Sequence, residues 1–228
     1  MNPQTVLGQC INQRRDGVLG FDAFAANPAQ GLFALCDGAN SCPGSGQAAL
    51  WLSEQLVDAQ RCGSAWAEFE SHVFQLHRDM LERFVETAST ALWCRVTAQG
   101  LRLASVGDSS LRVYRRAWAG WGAWQAICTM PRDLDAQGNP RQLIGSEVLD
   151  TVHQQDLPAR GPLLTLMMSD GPANSLSEGA VQGVLRSLKK QAPSAHDLDY
   201  LCRELVDEAL NLGCQDDASV AMVWTQWP

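Results

Sequence analysis

The chain has 228 residues, of which 46% are hydrophobic, which suits one globular domain with a sizeable core and excludes wholesale disorder. Its formal net charge of −8 argues against a nucleic-acid backbone as the main partner. That charge fits either a solvated acidic surface or a site that gathers carboxylates around a cation.

The opening stretch, MNPQTVLGQCINQRRDG, is mixed and polar and has no charged-then-apolar leader pattern. The longest apolar run, GPLLTLMM, falls far short of a bilayer span, so no membrane partner is expected. Eight cysteines lie at 10, 36, 42, 62, 94, 128, 202 and 214, with no C-x-x-C and no histidine beside any pair. Most flank apolar residues, as small core fillers do, so the expectation is a reduced, cytoplasmic protein with little support for a zinc site.

Residues 31–38, GLFALCDG, form an apolar run ending in Asp-Gly, which predicts a buried strand that delivers a carboxylate to a turn. The stretch CDGANSCPGSG (36–46) then allows four roles: a metal ligand on a turn, a phosphate-cradling loop, half of a zinc site, or a surface loop. A helix follows in GSGQAALWLSEQLVDAQ, with Leu50, Leu52, Leu56 and Val57 expected on one face. A longer helix comes next, where Trp66, Phe69, Val73, Leu76, Met80 and Phe84 recur every three or four residues as one buried stripe. That stripe reads as core and not as a cofactor box.

From residue 90 the pattern alternates, broken by Gln-Gly, Gly-Asp and Ala-Gly-Trp-Gly, and predicts four strands in hairpin succession. Trp118, Trp121 and Trp124 surround the last turn, as a packed hairpin end or, less simply, a protein-contact patch. Residues 129–162, with four prolines, read as the longest loop region. An apolar strand (163–171), a helix in SEGAVQGVLRSLKK, a second helix N-capped at Ser194 or Asp197, and a last strand (217–224) complete the chain. Central strands between flanking helices, without repeat or linker, predict a single α+β sandwich with antiparallel sheets over residues 1–228.

Three of these strands carry aspartates at their ends: Asp37, Asp170 and Asp216, with Asp22 in GFDAF as a fourth. A carboxylate at the end of an apolar strand is costly unless its charge is compensated, and a divalent cation compensates it well. The set offers only oxygen ligands, with none of the four histidines close in sequence, which favours Mg²⁺ or Mn²⁺ over zinc. The plainer alternative is that each Asp-Gly is an ordinary turn.

The order of these elements resembles the metal-dependent Ser/Thr protein phosphatases of the type 2C (PPM) family, in a compact bacterial form. GFDAF is similar to the family's Asn-Glu/Gln-Asp-Ala-Phe start, and LFALCDGANSCPGSGQAA to its Leu-Phe-x-Val-x-Asp-Gly element. LASVGDSSLRVYR resembles its Val-Gly-Asp-Ser strand pair, and GNPRQLIGSE its Asn-x-x-x-x-x-Leu-Gly segment. LLTLMMSDGPANSLSE resembles Leu-x-x-x-Ser-Asp-Gly, and CQDDASVAMV the final Asp-Asn/Asp-x-Thr/Ser-Val strand. Each motif is weak alone; six in order are not.

The resemblance implies a four-layer α-β-β-α sandwich, with two antiparallel sheets flanked by helix pairs and a two-metal centre at one end. It implies hydrolysis of phosphoserine or phosphothreonine by a metal-activated water, using two Mn²⁺ or Mg²⁺ ions and, in some members, a third weaker one. Asp37 would bridge both ions, the Gly38 carbonyl would bind one of them, and Asp170 and Asp216 would hold the other. Asp22 takes the N-terminal acidic position, and Asp217 replaces the usual Asn and is able to join the shell. The implied partners are a phosphorylated protein substrate and the Ser/Thr kinase that the enzyme opposes, and the expected state is a monomer.

Departures from the pattern matter as well. The phosphate-gripping arginine position is Gly17, so Arg15, or failing that Arg14, is the candidate, since a planar guanidinium grips two phosphate oxygens. Phe21 stands where Glu or Gln is usual, and Asp-Gly-Ala-Asn-Ser replaces Asp-Gly-x-Gly-Gly. Asp108 is expected to support its strand turn, Asp133 or Asp135 to serve a third metal, and the flap to be short. Phe21 and the displaced arginine keep open an alternative: a catalytically weak or inactive pseudophosphatase that binds phosphoproteins as a regulatory module.

Overall fold

The computed structural model describes residues 3–13, 20–63, 65–116, 124–188 and 192–228. Among the described residues, ten strands form two antiparallel five-stranded sheets. The first sheet runs β1 (Gln4–Gln13), β10 (Ala218–Gln226), β9 (Leu163–Met168), β6 (Ser110–Arg116), β7 (Trp124–Thr129). The second runs β2 (Asp22–Asn27), β3 (Leu32–Asp37), β4 (Ala91–Thr97), β5 (Gly100–Val106), β8 (His153–Pro158). Helices α1 (Ser45–Leu56) and α2 (Trp66–Arg83) cover the second sheet, and α3 (Asp170–Ser175), α4 (Glu178–Leu185) and α5 (Ala195–Asn211) cover the first. The α-β-β-α sandwich expected from the sequence is the observed architecture.

Strand alternation sorts the apolar residues into three layers. On β3, Leu32, Ala34 and Cys36 meet α1 and α2, while Phe33 and Leu35 face the other sheet. On β9 and β10, Leu164, Leu166, Val220 and Met222 meet the helices, while Leu163, Met167, Ala221 and Val223 complete the inter-sheet layer. The α2 stripe is as expected, with Phe69, Val73, Leu76 and Met80 buried and Trp66 and Phe84 packed at its ends. Ser194 is the N-cap of α5, and Asp197 completes its capping box.

Several expectations need correction. Leu50 is 52% exposed; α1 buries Ala48, Ala49, Leu52 and Leu56, because residues two apart cannot share a helical face. The four strands from residue 90 are present but not in hairpin succession. β4 pairs with β5 and β6 with β7, whereas the chain between β5 and β6 crosses from one sheet to the other at Gly107–Ser109. Gly107 takes φ +89°, a conformation that glycine enters at little cost. The loop region 129–162 contains β8, a polar edge strand, and residues 4–13 of the mixed N-terminal stretch form β1. Trp124 is buried, while Trp118 and Trp121 lie outside the described residues.

The eight cysteines are free thiols, with Cys36 buried on the helix side of its sheet. No described helix is long and apolar enough to cross a membrane.

Candidate metal centre

At one end of the inter-sheet layer the alternation continues but the chemistry changes. Two positions beyond Leu35 on the same face of β3 comes Asp37, and two before Phe24 on β2 comes Asp22; the register pairs these two aspartates directly. On β9 and β10 the inter-sheet positions continue into Ser169, Ser219 and Asp217, all buried. Asp170 opens α3, and its N–H donates to Asp37 Oδ2 at 3.2 Å. The close approach that makes this possible depends on Gly171, where a Cβ would lie 2.4 Å from the Asp217 carbonyl oxygen.

Several of the carboxylates are held by neighbours to which the sequence gave no such role. Asp37 N–H donates to Thr90 Oγ1 at 3.1 Å, and Thr90 Oγ1 lies 2.7 Å from Ser109 Oγ. Asn12, left-handed at φ 54° where β1 bulges, donates to the Asp22 carbonyl at 2.6 Å and accepts from Asp22 N–H at 2.9 Å, tying the two sheets together. Asp217 Oδ2 accepts from Phe21 N–H at 2.7 Å, and Asp217 N–H donates to Asp216 Oδ1 at 2.8 Å. Asn40, in the loop after β3, donates its side-chain amide to the same oxygen of Asp216. The N–H of Gly38 donates to the Phe21 carbonyl, and a Cβ at Gly38 would meet the Ser45 carbonyl at 2.7 Å, so the turn is closed to a larger residue.

Two clefts open here. The smaller, about 180 Å³, is lined by Asp37, Gly38, Asn40, Asp108, Asp170 and Asp216 among others. The larger, about 630 Å³, shares Asn40, Asp170 and Asp216 and adds Phe21, Asn174 and Gln215. Another recess of about 640 Å³, beside Arg95, Arg102 and Asp156 on the β5–β8 edge, lies far from this chemistry.

The electrostatics are those of crowded like charges. Burial, then the charges of Asp22 and Asp170, push the Asp37 carboxyl well above the carboxylate range. Burial pushes Asp22 to about 6 and, helped by Asp216 and Asp108, pushes Asp170 to about 7. Asp22 is 5% exposed and neither of its carboxylate oxygens has a hydrogen-bond partner. The Ser219 and Ser169 hydroxyls and the Asp37 carboxyl lie close enough to offset part of the upward push on Asp22, but none makes a well-formed hydrogen bond to its oxygens. A buried orphaned carboxylate within an all-oxygen set fits a hard divalent cation. Among the described residues no three His, Cys, Asp or Glu side chains converge closely enough to hold an ion by themselves, so backbone carbonyls and water would complete a shell.

Asp22, Asp37, Gly38, Asp170, Asp216 and Asp217 are thus gathered at one end of the sandwich, while Arg14 and Arg15 lie outside the described residues. Asp133 and Asp135 have local partners. Asp133 pairs with His153 Nε2 at 2.7 Å and accepts from Gln142 and Gly107 N–H, and Asp135 accepts the backbone N–H groups of Gln137 and Asn139. Of the supporting residues, Asn40 and Ser109 fall inside motifs; Asn12 and Thr90 carry no signal in the sequence.

A family model for protein phosphatase 2C matches residues 12–210. No curated protein matches the sequence. Among solved structures, PppA, a key regulatory component of T6SS in Pseudomonas aeruginosa, is 17% identical, with a TM-score of 0.72 over 98% of this chain and 97% of its own. The serine/threonine phosphatase PstP/Ppp of Mycobacterium tuberculosis is 17% identical, with a TM-score of 0.72 over 100% and 99% of the two chains. The catalytic domain of PstP in complex with 2 manganese ions is 20% identical, with a TM-score of 0.71 over 98% and 100%. At these identities the likeness establishes the fold.

Proposed function

The chain belongs to the protein phosphatase 2C family, and from that premise we propose that it is a metal-dependent phosphoprotein phosphatase. On this reading residues 1–228 act as one catalytic unit that hydrolyses phosphoserine or phosphothreonine. The observation that carries it is that Asp22, Asp37, Asp170, Asp216 and Asp217 all lie at the open end of the inter-sheet layer, with Asp22 buried and without a hydrogen-bond partner on its carboxylate.

Asp22, Asp37, Asp170, Asp216, Asp217 and the Gly38 carbonyl are the groups that would hold two Mn²⁺ or Mg²⁺ ions, a count that the manganese-bound relative supports. Bound there, the ions supply Lewis-acid polarisation of the phosphoryl group and a nucleophile at neutral pH. The chain's own residues set the geometry. The Asp170 N–H holds Oδ2 of Asp37, while Asn40 and the Asp217 N–H both engage Oδ1 of Asp216 and leave its Oδ2 for a ligand. The raised pKa values belong to the centre without cations; positive charge brought among these carboxylates lowers them and ionises the set. Arg15 as the phosphate grip rests on the sequence alone.

The proposed partners are a phosphorylated protein and the Ser/Thr kinase that the enzyme opposes, with a cytoplasmic, monomeric protein. The test is hydrolysis of a phosphothreonine peptide: turnover with Mn²⁺, none in chelator, and none in Asp37→Asn or Asp170→Asn. Full turnover in chelator would overturn the reading. The presence of Phe21 in the wall of the larger cleft favours a second reading, a pseudophosphatase that binds phosphoproteins. Tight binding of two metals without hydrolysis of any phosphosubstrate would select it.

A further inference from the structure

Arg132 hydrogen-bonds to two residues that line the carboxylate clefts, and no carboxylate pairs with it among the described residues. It follows β7, and its side chain bridges two walls. Nε donates to the Asp108 carbonyl, and Nη2 donates to Asn174 Oδ1 at 2.8 Å. Asp108 lines the smaller cleft beside Asp37, Asp170 and Asp216, and Asn174 lines the larger beside Asp170 and Asp216. Asn174 follows Asp170 by four residues on α3, so the two share one helical face and the guanidinium sits about one helical turn from Asp170.

Both anchors are neutral oxygens, and among the described residues no acidic side chain pairs with Arg132. Its charge reaches the cleft nonetheless, opposing the upward push that burial exerts on the Asp108 carboxyl. A guanidinium carries five N–H donors, and the two anchors engage only Nε and Nη2. Fixed at two points, it has already lost much of the side-chain entropy that gripping a ligand would otherwise cost. A rigid, unneutralised cation beside five aspartates suits an anion that must approach those aspartates despite their charge.

We propose that Arg132 binds the phosphoryl group presented to the carboxylate centre, as a substrate-binding residue independent of Arg14 and Arg15. This rests on the phosphatase reading above. The competing role is a latch that pins residues 130–133 to α3 and touches no substrate.

The experiment uses the full chain with Mn²⁺. In Arg132→Gln, KM for an aryl phosphate and for a phosphothreonine peptide, and the inhibition constant of inorganic phosphate, each rise about ten-fold, while kcat and melting temperature change little. Arg132→Lys, which keeps the charge but not the fork, restores part of the loss. Unchanged phosphate inhibition overturns the proposal, as does a loss confined to the peptide, which would place Arg132 on a flanking residue.

Should Arg132→Gln not fold, Asn174→Asp keeps the anchor while pairing the charge. It weakens phosphate inhibition more than Ser175→Asp, which adds the same charge to the same wall, and equal effects overturn the proposal. If the wild type turns over nothing, the phosphatase reading fails by itself. Calorimetric titration with inorganic phosphate still tests Arg132: about ten-fold weaker binding by Arg132→Gln supports it, and equal affinity overturns it.

Discussion

The two ends of the inter-sheet layer are built by the same strands with the same alternation, yet they do opposite things. Toward one end β3, β4, β5 and β10 place Phe33, Cys94, Leu101 and Val223 against each other in a dry layer. At the other, the next positions on the same faces are Asp22, Asp37, Ser169, Ser219 and Asp217. Dry packing is stable without help, whereas burial and crowding push the Asp22 and Asp170 carboxyls up to about 6 and about 7, so their charge is costly unless it is compensated. On the proposed reading, one end supplies stability and the other chemistry.

The sharpest way to break that division is Asp37→Asn. Hydrolysis should fall by on the order of a thousand-fold, with no loss of melting temperature in chelator, because the substitution removes a charge from a crowded site. The reciprocal change is Leu35→Ala, one alternation away on the same strand, which should cost about 2 to 5 kcal/mol in urea unfolding and leave turnover per folded molecule unchanged. Gly171→Ala tests the junction of the two regions. Its Cβ would lie 2.4 Å from the Asp217 carbonyl, so α3 must shift and take Asp170 with it. We expect about a hundred-fold loss of turnover with about 1 to 3 kcal/mol of destabilisation.

A smaller effect is on pH. Asp22 and Asp170 are raised above their ordinary 3.8, so the folded chain holds protons that the unfolded chain has released. Their stabilising contribution is full below about 3.8 and is lost as pH rises through about 6 and about 7. Melting temperature in chelator, wild type minus Asp22→Asn, should therefore fall across that window, and Mn²⁺ should flatten the fall.

The carboxylate end was legible in the sequence because a buried strand ending in Asp-Gly is unusual twice over: an apolar run is interrupted by charge, and the interruption recurs. The supports were not legible. Asn12 and Thr90 act through backbone partners on other strands, 10 and 53 residues away, and no periodicity carries that information. The edge strands β1 and β8 escaped because each is covered on only part of its surface and is written in polar residues, as in HQQDLP. The crossing at Gly107 looked like a hairpin because a sequence encodes the turn and not the sheet that the next strand joins.

The most direct test of the central claim is a calorimetric Mn²⁺ titration of the chelator-stripped protein, compared with Asp37→Asn. The account predicts two ions bound per wild-type chain and loss of that pair in the variant, whose carboxylate would be shared between them. Identical titrations of the two proteins, or no Mn²⁺ bound by the wild type, would contradict it.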